Sequence, residues 1–468
     1  MTIVVACIGV LIVGVSLAPS FLKAMYKIME GQAGDFREWH MTIEHQAEPI
    51  SADEVWTSAI AELEVARAGH ANVRRKEAPT TNMKISTFCL YAMSIAVATF
   101  GQIPTCLSGH AKEKAKAFSV VSMTLNDQAL AGAHDVQLSG NLAFVPGKHQ
   151  SLSIIDISDP KKPEILWFKN DPEIPDAETV LLHGDTLLLG TLDFLTLNVK
   201  DPRNPVILKT ISDRPRIGDR INGMIRIENY VIAASKSGHI SAFDISDVEN
   251  PTVYGVLETP KTFGVQRPHD IDRYGDYIVV VDPIKFSRPP GCIALFKVAE
   301  KGKVFPVNKW ELAAKLSGEE FIGANRVQVK GDYAFTSGSV TPNARKKYPD
   351  LSVADMAVVD ISNPAKPTLV AALPCTAGRG PNGLTIAGNA LFCAGGQSID
   401  VFDISNPRKP VHLTGQEFPT YNKKAKKTDN YHDLIYRDGY LYVSAQTDNG
   451  FLILKVDDAR IRALADAE

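Results

Sequence analysis

Short apolar stretches separated by turn residues dominate the chain from about residue 116 onward, and their rhythm is that of strands rather than helices. The stretch SLSIIDISDPKKPEIL, residues 151–166, shows the arrangement: an apolar run into Asp156, a polar knot holding Pro160 and Pro163, and a second apolar run. It predicts two strands joined by a turn. The prolines belong in the turn because they have no N–H to give to a central ladder. Asp159 is placed to accept a backbone N–H beyond it in an Asx turn. The phrase returns as MAVVDISNPAKPTLV from Met356 and SIDVFDISNPRKPVHL from Ser398. A second phrase, AHDVQLSGNLAFV from Ala133, splits into two alternating strands at Gly140-Asn141, both tolerant of positive φ. It recurs from Ala177, Ile221, Pro268, Ala324, Pro381 and Tyr431, which makes seven copies.

Each repeat thus reads as four short antiparallel strands, at a period of roughly 40–50 residues that is the mark of a β-propeller blade. The two ends complement each other. The seventh copy ends on FLILKVDD, its third strand, and ARIRALADAE does not continue the pattern. An unpartnered strand, FSVVSMTL (Phe118 to Leu125), precedes the first copy. LNDQALAGAHDV after it aligns without gaps with KNDPEIPDAETV, which leads from the first unit into the second. The expected fold is all-β: a seven-bladed propeller of four-stranded blades within residues 112–458, followed by a tail, 459–468. The strand at about 118–125 completes the last blade and removes an exposed edge.

The phrases IIDISDP, VVDISNP and VFDISNP, with GDYAF and ENYVIAA ahead of their third strands, resemble the LVIVD-repeat family of bacterial and archaeal proteins. The resemblance spans about residues 116–458 and implies a β-propeller fold, without implying an activity. Lys297 and Lys455 replace the third-strand aspartate in copies four and seven, and Asn198 replaces it in copy two, so altered turns are expected there.

The first 111 residues follow another pattern. IVVACIGVLIVGVSLA, Ile3 to Ala18, is apolar but short of the roughly 20 residues of a spanning helix. SADEVWTSAIAELEVARAG reads as an amphipathic helix with a Ser51/Glu54 capping box and Gly69 as its stop. Residues 83–111 open on Met83 and Lys84, run through an apolar core and end on the small residues Gly109 and Ala111, the layout of a signal peptide. Either Met83 is the natural start, with residues 1–82 upstream of it, or both apolar segments anchor the chain in a membrane. Both readings place the propeller outside the cytoplasm: periplasmic, cell-surface or secreted.

Composition narrows the partners. A net charge of −3 over 468 residues argues against a nucleic-acid binder, and 45% hydrophobic residues suit a sizeable core. Past residue 111 only Cys292, Cys375 and Cys393 remain, so no disulfide framework holds the domain, although the sequence leaves a Cys375–Cys393 pair open.

One position in each copy, just ahead of the innermost strand, is polar: His134, Glu178, Asn222, His269, Asn325, Asn382 and His432. A propeller gathers these seven around one channel mouth. Asp135, Asp270 and Asp433 follow three of them, and Arg326 a fourth. In one reading His134, His269 and His432 hold a divalent transition metal (zinc, copper or iron), with Glu178 as ligand or general base of a metal-dependent hydrolase, lyase or oxidoreductase. In the other, the polar residues line a wet channel and cap strand starts, the aspartates bonding backbone between blades. Loops expected on the same face carry His149, His239, Lys285, Arg288, Arg345, Lys346, Lys347, Tyr348, Arg379 and the NKKAKK run from Asn422. They suggest a recognition module whose basic face binds a protein, a glycan or a small anionic ligand through Arg288, Arg345, Tyr348 and Arg379, with Asn222, Asn325, Arg326 and Asn382 at the mouth. No G-x-S-x-G, H-E-x-x-H or phosphate-loop motif is present, so recognition is the first expectation and the metal enzyme the second.

Overall fold

The computed structural model describes residues 116–283, 291–338, 355–375, 380–421 and 430–467. The chain divides after Gly109, and all described residues lie in the second unit. The readings of residues 1–111 lie outside them. So do Lys285, Arg288, Arg345, Lys346, Lys347, Tyr348, Arg379 and Asn422–Lys427.

Seven four-stranded antiparallel sheets follow one another along the chain. In the first six blades the strands lie in sequence order, so the first strand of each repeat is innermost. The seventh sheet is ordered differently: Phe118–Leu125 takes its outer edge and pairs with Gly450–Val456, Phe118 facing Val456 and Leu125 facing Gly450. The early strand therefore closes the ring, as its sequence requires. Phe118 is fully buried, and the Gln416 side chain clasps its backbone from the sixth blade, donating to Phe118 O and accepting from Phe118 N.

The recurring aspartate phrase is a pair of Asx turns. The carboxylates of Asp156, Asp244, Asp360 and Asp403 each accept the N–H two residues on, at Ser158, Ser246, Ser362 and Ser405. Three residues later Asp159, Asp247, Asn363 and Asn406 repeat the bond. Asn198 in blade two makes the same bond to Lys200, so the amide conserves that turn. Blade four, where Lys297 stands, departs: a two-stranded ribbon, Ala299–Glu300 with Lys303–Val304, and a 3₁₀ turn, Val307–Lys309, fill the connection.

The apolar interior is divided into seven clusters, each a wedge between adjacent blades. Fully buried Phe194 and Phe243 stack between blades two and three with centroids 4.1 Å apart. The C-terminal tail is a short helix, Ala459–Ala465, capped by Asp458 and docked by buried Ile461 on the wedge between blades six and seven. Among the described residues no helix is long and apolar enough to cross a membrane.

Candidate functional site

The seven polar positions form one ring and all are buried, from 0% exposure at His134, Glu178 and Asn222 to 7% at His432. Two backbone devices bring them there. In blades three, five and seven the residue is a β-bulge: pairing skips from Ile221 to Gly223, from Ala324 to Arg326 and from Tyr431 to Asp433. A bulge turns one side chain out of the alternation of its strand. In the other four blades the residue stands just ahead of the inner strand, with its own N–H bonded to the second strand.

The ring side chains tie neighbouring blades together. Nδ1 of His134 donates to Glu178 O (2.6 Å), Nδ1 of His269 to Asn325 O (2.9 Å) and Nδ1 of His432 to His134 O (3.0 Å). Asn222 donates to His269 O at 2.8 Å, and Asn325 to the Asn382 side chain at 2.9 Å. Each bond runs from one blade to the next, and His432 to His134 crosses the seam of ring closure.

The layer below repeats the scheme with acceptors. Asp135 takes Val180 N–H at 3.0 Å, Asp270 takes Val327 N–H at 2.9 Å, Asp272 takes Val329 N–H at 2.6 Å and Gln328 takes Ile386 N–H at 2.8 Å. Glycines admit two of the acids. A Cβ on Gly223 would sit 2.3 Å from an Asp270 oxygen, and one on Gly383 2.7 Å from Asp433 Cα.

The imidazoles do not meet at one point. The His134 and His432 rings lie against each other, tilted by 33° with centroids 3.6 Å apart, whereas His269 sits between Asn222 and Asn325. Among the described residues no group of three or more His, Cys, Asp or Glu side chains gathers to hold a metal ion. Because a carbonyl only accepts, His134 carries its proton on Nδ1. Burial, then His432, Lys148 and Lys236, push its pKa well below the ordinary value, so the ring is neutral. Its 3.2 Å approach to the Glu178 carboxylate is therefore a contact rather than an ion pair. Burial alone raises the Glu178 carboxyl, but Lys236 at 2.6 Å and Lys148 at 3.5 Å outweigh it and hold the group ionised. The sequence reading missed both lysines. A signal was there: each directly follows the second strand of its repeat, after Gly147 and Ser235.

Arg326 is the centre of the site. From blade five its guanidinium donates to Asn222 O in blade three at 3.2 Å, lies 3.9 Å from Asp270 and 3.7 Å from Asp433 in blade seven, and so spans the axis. One of its nitrogens, Nη2, is buried without a hydrogen bond. Burial lifts the Asp270 carboxyl to about 7, against the pull of Arg326 and two backbone N–H groups. Burial likewise raises Asp433, which Arg326 opposes and the neighbouring Asp135 reinforces. Below this layer lies an axial cavity of about 410 Å³, lined by the inner strands and by Asp135, Asp270, Arg326 and Asp433 but not by the ring residues. Arg326 and its three acids thus lie between ring and cavity. Asp272, Gln328 and Lys330 line the cavity further along.

No curated protein matches the chain. Among solved structures, that of the computationally designed Ika8 protein aligns with a TM-score of 0.45 and 10% identity over 71% of this chain and 98% of that one. The LVIVD repeat family matches residues 132–167, 352–373 and 380–414, which lie in blades one, five and six. With three such repeats in a ring of seven blades, the chain is an LVIVD-repeat β-propeller.

Proposed function

We propose that this protein is a recognition module whose axial cavity takes a small ligand through an acceptor group, a carboxylate above all, on Arg326. One observation carries the reading: a guanidinium fixed by blades three, four and seven keeps a buried N–H without a hydrogen bond beside a 410 Å³ cavity. Unpaired buried donors are costly, and a preorganised guanidinium favours carboxylates. The volume falls within the roughly 300–1,000 Å³ of small-molecule sites. The ring histidines and asparagines are occupied in joining blades, which favours binding over catalysis. The basic loops and the export of the domain are further parts of the proposal. Mass spectrometry of the native N-terminus tests export through cleavage within residues 83–111.

The ligand reading also implies a pH dependence. Asp270 and Asp433 surround Arg326 and lose charge when protonated, so an anion binds more tightly as the pH falls from about 8 to about 6. Thermal-shift titrations with a panel of small carboxylates, at both pH values, test this. A shift larger at the lower pH and lost in R326Q, whose fold is checked by circular dichroism, supports the reading. A shift that survives in R326Q, or none from any carboxylate, overturns it.

A further inference from the structure

Outside the axial site the described residues hold a second unexplained cluster, two thiols between blades five and six. Cys393 lies in the second strand of blade six, Ala390–Gly395, and is 1% exposed. Cys375 follows the outer strand of blade five, Thr368–Leu373, and is half-buried. Its N–H is held by the Asp355 carboxylate at 3.0 Å, and its side chain packs on the apolar wedge that contains Cys393. The two side chains thus lie together in this wedge, close enough to act on each other, and neither is joined in a disulfide.

We propose that Cys375 and Cys393 are the two halves of a disulfide that staples blade five to blade six. Thiols already this close need only come to an S–S separation of about 2.05 Å. The half-buried Cys375 is the one that an external disulfide can reach. Its thiolate attacks that disulfide and expels one thiol; the Cys393 thiolate then attacks the mixed bond and expels the second. Two S–H bonds are lost and one S–S bond is gained. The external disulfide takes up the two electrons and two protons and leaves as two thiols. The hydrogen bond from Cys393, then burial, then the Asp400 and Asp355 charges hold the Cys375 thiol well above its ordinary pKa, so exchange is slow at neutral pH and quickens in alkali. Once closed, the bond tethers the chain that leads into Asn382 of the ring.

Cys292 supplies the internal control. It is buried in blade four, away from the pair, with its thiol pushed up to about 12 by burial and by Asp282. The test is treatment of the native full-length protein with oxidised glutathione in mildly alkaline buffer, followed by alkylation, digestion and mass mapping. The expected product is one peptide pair linked through Cys375 and Cys393, lighter by two hydrogens and cleaved by dithiothreitol, with Cys292 still alkylated. The oxidised protein then melts several degrees above its reduced form, and C375S and C393S each abolish both effects. C375S, at the half-buried position, keeps the test readable should C393S fail to fold. A stable glutathione adduct on Cys375 with Cys393 still alkylated, or two alkylated thiols after every treatment, overturns the proposal.

Discussion

Asp270 shows how one buried residue can serve the fold and burden it. Its oxygens accept two backbone N–H groups and face Arg326, yet burial lifts its carboxyl from 3.8 to about 7. A carboxyl with a raised pKa holds an extra proton in the folded state, so its stabilising effect is present below the unfolded value and is lost as pH rises toward 7. Such a shift corresponds to an effect on the order of 1–4 kcal/mol. The urea midpoint of the wild-type protein should therefore fall between about pH 5 and pH 8, and D270N should flatten that slope. An equal slope in the variant would remove Asp270 as its source. The place of Asp270, directly after the ring residue His269, was readable from the repeat; its partners were not. Val327 and Arg326 lie more than fifty residues further along, and only ring closure lays blade seven's Asp433 beside them.

At the scale of the element, the aspartate phrase is a local device, which is why it could be read from the chain. Both Asx turns close within two residues of their acceptors, so each copy specifies its own hairpin whatever the neighbouring blades do. The Asp403 carboxyl is held below its ordinary pKa by hydrogen bonds from the Ser405 side chain and backbone. Here the sign is opposite to that of Asp270: the contribution is present above about pH 4 and lost as the group protonates. D403A should cost about 1 kcal/mol near neutral pH, read by urea denaturation, and this cost should vanish in acid. The ring bulges are the contrary case. No turn signal marks Asn222, Asn325 or His432, because a bulge arises from pairing with the second strand and from packing against the next blade.

For the whole molecule, stability rests on seven wedges and one seam. Each wedge needs both of its blades, so no repeat can bury its apolar faces alone. The seam is held by the Phe118–Leu125 strand, by the clasp of Gln416 on Phe118 and by the bond from His432 to His134. Phe118 packs beside Phe418 in the wedge of blades six and seven, ring centroids 6.4 Å apart, and F118A should cost about 3–5 kcal/mol. The check is the denaturation midpoint together with gel filtration, because a loosened outer strand exposes an edge that pairs with other chains. A variant of unchanged stability and elution would place the closure energy elsewhere.

The sequence by itself determined the number of blades, the four-strand unit, the turn chemistry and the strand that closes the ring. All of these are written in short-range periodicity and in residues that act on their near neighbours. It also marked the seven polar positions at the head of the inner strands, all of them buried. Tertiary structure alone decided what those residues do: that the His134 and His432 rings touch while His269 stands apart, that Lys148 and Lys236 meet on Glu178, and that Arg326 reaches across the axis with an N–H left unbonded. The reason is physical. A turn depends on φ, ψ and one hydrogen bond within a few residues, whereas the chemistry of a channel depends on distances between side chains from different blades, which the tilt and packing of all seven settle together.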